Sequence, residues 1–177
     1  MERVVGRAVC NRMVRAMADV KGMIRSYNVG VEPPEPSRWA LKIEIDKQKY
    51  PGFTTSTICF AVLQSAVLTE YKWQVILVLN DESNNIDRVR VVDDRENICR
   101  ADLPEQKPDQ AYLPLQPTFF GDENPPKWGF FFAVKDACKE YKGISIDVYA
   151  VIEQAWRAKS NVVLKLDGNL IVGAKPA

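Results

Sequence analysis

The sequence predicts an α+β fold: an antiparallel sheet with packed helices, an N-terminal amphipathic helical arm, and a C-terminal helix-helix-hairpin unit. Three observations carry this expectation. Apolar residues are nowhere so continuous as over residues 55–79, which therefore supply the centre of the core. Residues 4–27 repeat apolar side chains at helical spacing. Residues 130–172 read as two amphipathic stretches followed by a tight turn between apolar runs. At 177 residues and 46% hydrophobic the chain can bury a sizeable core, so residues 31–177 are expected as a single α+β domain, with residues 1–30 as a basic arm.

In the arm, Val5, Val9, Met13, Met17, Val20, Ile24 and Tyr27 recur at intervals of three and four, while Arg3, Arg7, Arg15, Lys21 and Arg25 occupy the other side. That pattern fits a helix packed on its own domain or docked on another subunit. A nucleic-acid face, a membrane-surface helix and a targeting peptide are further readings. A Pro-rich connector, residues 30–37, ends it. Residues 39–46 then alternate strictly, Leu41, Ile43 and Ile45 against Lys42, Glu44 and Asp46, as a half-buried strand does.

Within the central stretch, residues 57–71 read as a buried helix with Ser56 or Thr57 as its cap, a strand being the competing reading. Residues 73–79 are β-branched and aromatic and read as a central strand. Residues 86–92 put Val89 and Val91 on one face and Arg88 and Arg90 on the other, so the two runs form a hairpin around the polar loop 80–85. Residues 103–126 hold six prolines and little periodicity, yet Tyr112, Leu113, Leu115, Phe119 and Phe120 are too apolar for a free linker. They are expected as an extended strap.

Further on, Phe130, Val134, Ala137, Cys138 and Tyr141 share a helical face, with Gly143 as the terminator. Val148, Val151, Ile152, Ala155 and Trp156 form a second stripe over residues 148–159. The runs 162–166 and 169–172 make a hairpin around a type I′ turn at Asp167-Gly168. Trp156 is expected to pack beneath that hairpin.

The chemistry is bounded mainly by what the sequence lacks. With no histidine, Ser-His-Asp and Cys-His arrangements and imidazole ligation are excluded. No Gly-rich phosphate loop of either common spacing occurs. The four cysteines at 10, 59, 99 and 138 form no CxxC pair, which argues against structural zinc and leaves disulfides uninferable. Cys59 and Cys138 are expected as buried thiols. The remaining acid–base candidates are Asp81, Glu82, Asp93, Asp94, Asp122 and Glu123, and the hairpin geometry sets the first two at the end opposite Asp93, against a joint metal site. No metal and no cofactor are expected. With no signal peptide visible, an intracellular protein without a membrane span is the default.

The formal net charge of +1 is unevenly spread. Residues 1–30 hold six basic and two acidic side chains, residues 81–126 five and eleven, residues 127–177 eight and five. These blocks satisfy one another or a partner. The expected function is therefore a non-enzymatic interaction or assembly component, whose partner is another subunit or a second copy, docking through Arg3, Arg7, Arg15, Arg25, Tyr112, Phe119 and Phe120. The alternative is nucleic-acid binding through Arg7, Arg15, Arg88, Arg90, Arg157 and Lys165, with a winged-helix-like C-terminal unit.

Overall fold

The computed structural model of the protein describes residues 19–32, 38–45, 47–54, 56–67, 73–80, 85–104 and 107–177. In chain order these form β1 (Asp19–Glu32), β2 (Arg38–Ile45), β3 (Gln48–Thr54), α1 (Thr57–Val67), β4 (Gln74–Leu79), β5 (Ile86–Val92), a 3-10 helix (Asp94–Ile98), β6 (Ala101–Asp102), β7 (Ala111–Phe120), β8 (Lys127–Val134), β9 (Ala137–Gly143), α2 (Ile146–Ala158), β10 (Val162–Asp167) and β11 (Leu170–Pro176).

Five strands close on themselves. β7 pairs with β8, β8 with β9, β9 with β11 and β11 with β10, and β10 returns to β7 at Val162 opposite Tyr112. The ring is a closed five-stranded barrel. Its β9–β11 pairing is parallel, and the crossover this demands is supplied by α2 and β10. From β7 the same sheet runs outward through β5, β4, β1 and β2 to β3. Strands dominate, so the α+β class is overturned. The two α-helices among the described residues cover a sheet that carries the architecture.

The core fills the barrel and continues beneath its extension. Alternate residues of β8, Trp128, Phe130 and Phe132, point inward with Tyr112 of β7 and Tyr141 of β9, all buried. α2 closes this interior with Tyr149, Ile152 and Trp156, and the Tyr149 ring lies 5.5 Å from Phe130 and 5.7 Å from Trp128. α1 contributes Cys59, Val62, Leu63 and Ala66 to the same cluster as Val75 and Leu77 of β4 and Val89 and Val91 of β5. Ser56 caps α1, its Oγ accepting from the Cys59 amide at 3.4 Å.

Two buried polar groups inside this core are fully engaged. Ser65 Oγ on α1 shares a hydrogen bond with the Tyr149 hydroxyl at 2.8 Å and donates to Glu153 at 2.6 Å, tying the two helices together. The Asp93 carboxylate accepts from Arg95 and, at 2.8 Å, from the Trp156 indole.

Three expected helices or loops are strands. The helix over residues 4–27 is overturned for residues 19–27, which belong to β1; residues 1–18 lie outside the described set. Over that stretch a two-residue period was also available, and Gly22 and Ile24 are the residues it buries. β1 then changes partner, pairing with β4 through residues 19–23 and with β2 through residues 24–32.

The helix expected over residues 130–141 is the hairpin β8–β9, joined at Lys135, whose φ is +56°. Phe130, Cys138 and Tyr141 do recur at helical spacing, but the aromatic alternation 128, 130, 132 prevails, as flat rings on a pleated face do. No helix-helix-hairpin unit remains, and with it goes the winged-helix reading.

Of the Pro-rich segment, residues 111–120 are β7, in the interior of the sheet. Prolines survive there for a local reason. β10 pairs only with residues 111–112 and β5 only with residues 118–120, so Pro114 and Pro117 fall where one side of β7 has no strand to satisfy. Tyr112 and Phe119 are both core residues although their spacing is odd, and a bulge between Leu115 and Pro117 reconciles them by inserting Gln116.

Elsewhere the expected elements hold: β2, α1, the β4–β5 hairpin, α2 and the β10–β11 hairpin. The last turn is centred one residue later, on Gly168-Asn169. Of these two only Gly168 takes a positive φ, +59°, the pattern of a II′ rather than a I′ turn. Cys138 is not a thiol, because it is disulfide-bonded to Cys99, whereas Cys59 is buried as expected.

Candidate binding groove on the outer face of the sheet

The face of the sheet turned away from the core carries the polar concavity of interest. Register aligns Val78, Arg88, Phe120 and Lys127 in one cross-strand row, and Ile76, Arg90, Thr118, Gly129 and Lys142 in the next. Leu115, Phe131 and Glu140 form a third. A groove of about 770 Å3 follows these rows, bounded by Ile76, Val78, Arg88, Arg90, Asp122 and Glu140 and floored by Thr118, Phe120 and Phe131. A hollow of about 320 Å3 continues it past Arg90 and Phe131 to Gln116 and Cys99.

Gly129 shapes one end, since a Cβ there would meet the Phe120 ring at 2.9 Å. The ring lies over the glycine and is itself covered by cations, Lys142 Nζ at 3.9 Å and Arg88 Cζ at 5.3 Å from its centroid. Asp122 and Glu123, in the β8 approach, hold those cations. Arg88 donates to Asp122 at 2.9 Å, and Lys127 (2.7 Å) and Lys142 both donate to Glu123. The two lysine hydrogen bonds keep the Glu123 carboxyl below its ordinary range.

Glu140 behaves oppositely. Burial pushes its carboxyl up, and the nearby Lys142, Arg88 and Arg90 only partly offset this. In the floor, Thr118 and Gln116 are each 3% exposed, and Thr118 Oγ1 and Gln116 Oε1 have no hydrogen-bond partner among the described residues. The groove thus holds hydrogen-bonding capacity that the fold does not use.

The expected site residues fare unequally. Arg88 and Arg90 meet in the groove, whereas Arg157 pairs with Glu153 on α2 and Lys165 sits on β10 beside a separate depression of about 650 Å3. Tyr112 and Phe119 are core residues, 0% and 1% exposed, and Phe120, with the two cations over its ring, is 6% exposed. Arg25 lies in β1, while Arg3, Arg7, Arg15, Asp81 and Glu82 lie outside the described residues. Asp93 is an internal ion-pair partner, and Asp94 opens the 3-10 helix.

No group of His, Cys, Asp or Glu that would hold a metal ion occurs among the described residues, and no helix there is long and apolar enough to cross a membrane. Sequence reasoning missed Gln116, Thr118, Phe131 and Glu140. The signal that would have found Phe131 is the aromatic alternation of β8, which turns its neighbours inward and it outward. Comparison of the chain with protein-family models, with curated proteins and with solved structures finds no match.

Proposed function

We propose that this chain is a non-enzymatic binding module that engages its partner through the outer-face groove. One observation carries the reading. Four polar or charged residues are buried among those described: Ser65 and Asp93, inside the core, are hydrogen-bonded, although Nη1 of Asp93's partner Arg95 is left unpaired, whereas Thr118 and Gln116, on the outer face, each leave an oxygen unpaired. Buried polar atoms are nearly always paired, and an unpaired one costs about 1–3 kcal/mol. Retaining two, one in the groove and one in the hollow that adjoins it, is understandable when a ligand pairs with them.

This reading puts the recognition surface on the groove that β7 floors rather than on the basic N-terminal arm and the Pro-rich strap. We favour this reading over the nucleic-acid alternative because two of that alternative's cations, Arg88 and Arg157, are already paired with carboxylates. A fragment screen by NMR tests the reading without assuming a ligand. Chemically diverse small fragments should converge on the amides of Arg90, Thr118, Phe131 and Glu140. Convergence on the β10–β11 depression, or scatter over the surface, would contradict it.

A further inference from the structure

We propose that the groove's ligand is a neutral, polyhydroxylated molecule of the saccharide class. The inference rests on the groove being the binding surface, and it follows from what the groove leaves unsatisfied. Gln116 Oε1 can only accept a hydrogen bond, and Thr118 Oγ1 can accept or donate. Glu140 lines the groove with Thr118 and is a further acceptor, while Gln116 lines the adjoining hollow. The occupant must therefore bring hydrogen-bond donors.

Charge narrows the class of donor. The groove lining opposes Arg88 and Arg90 to Asp87, Asp122 and Glu140, with Arg88 bound to Asp122. Such a surface has no cationic excess to hold a phosphate or a polyanion. An ammonium or guanidinium ligand near Glu140 would meet Lys142, Arg88 and Arg90, whose charges already act on that carboxyl. Hydroxyl groups satisfy the acceptors without adding charge, and they also accept from arginine.

Shape agrees with this chemistry. Phe131 is half-buried and directly opposite Glu140 across β8–β9, and both line the groove, so an aromatic and a carboxylate side chain are neighbours there. A sugar ring offers an apolar C–H face to the one and equatorial hydroxyls to the other. The volume, about 770 Å3, lies within the ~300–1,000 Å3 of small-ligand sites.

The test is a titration of the isotope-labelled full chain with maltose, cellobiose and N,N′-diacetylchitobiose, alongside a neutral tetrapeptide and an oligo-dT strand. At least one disaccharide should saturably shift the amides of Thr118, Phe131 and Glu140, and Thr118→Val should weaken it about tenfold, the loss of about one hydrogen bond. Between about 50 and 200 mM salt the affinity should hardly change, unlike that of a phosphate ligand. Silence of these amides toward all three disaccharides overturns the proposal. If the tetrapeptide or oligo-dT moves them instead, the ligand class falls while the groove reading stands; if neither these probes nor the fragments do, both fall.

Discussion

Asp93 has no exposed surface. Burial alone would push its carboxyl toward the neutral form, but hydrogen bonds from the Arg95 side chain and backbone and from the Trp156 indole outweigh it and hold the carboxyl below its ordinary value of 3.8. A carboxyl depressed in the folded state contributes stability that is fully present above the unfolded value and is lost as pH falls through the folded one. In urea unfolding, the chain should therefore lose stability below about pH 4. Asp93→Asn should be less stable at neutral pH, because Arg95 is left without its carboxylate, and should show a shallower acid loss. An unchanged acid slope in the variant would remove Asp93 from this role. Asp93 was visible in the sequence as one acid among six candidates, and only its position beneath Trp156 separates it from a solvated one.

At the scale of elements, legibility followed the clarity of the local period. Leu41, Ile43 and Ile45 alternate without interruption, and Val148, Ile152 and Trp156 keep helical spacing, so β2 and α2 could be read directly. β7 could not, because its prolines are tolerated only through a gap between two distant strands, and its alternation is broken by the bulge at Gln116. The groove shared that fate, its floor being built from β7 and β8. The Cys99–Cys138 disulfide also depends on tertiary placement, since it fastens the segment around β6 to β9 across a sequence separation of 39. By loop-closure entropy such a bond is worth about 4 kcal/mol. Replacing both cysteines with alanine should lower the melting temperature and accelerate amide exchange over residues 94–103 first. Equal acceleration throughout the barrel would show instead that the bond supports the whole fold.

Over the whole molecule, one continuous sheet divides two tasks. Its inner face closes a barrel packed by rings and two helices, and its outer face keeps polar atoms that find no partner among the described residues. The division has a thermodynamic consequence, since a residue retained for recognition is expected to be neutral or costly for stability. Trp156 and Thr118 are the opposed cases, 1% and 3% exposed but facing opposite sides of the sheet. Calorimetric unfolding of Trp156→Ala and Thr118→Val, side by side with the parent chain, measures the division directly. Trp156→Ala removes a buried indole at a cost of about 3–5 kcal/mol and should lower the melting temperature by at least about 6 °C; if it does not fold, Trp156→Phe keeps the bulk and still loses the Asp93 bond. Thr118→Val removes an unpaired buried hydroxyl at nearly constant volume and should leave the melting temperature unchanged or raise it. A fall for Thr118→Val as large as that for the tryptophan variant would contradict the account, because the hydroxyl would then belong to the fold and not to a ligand.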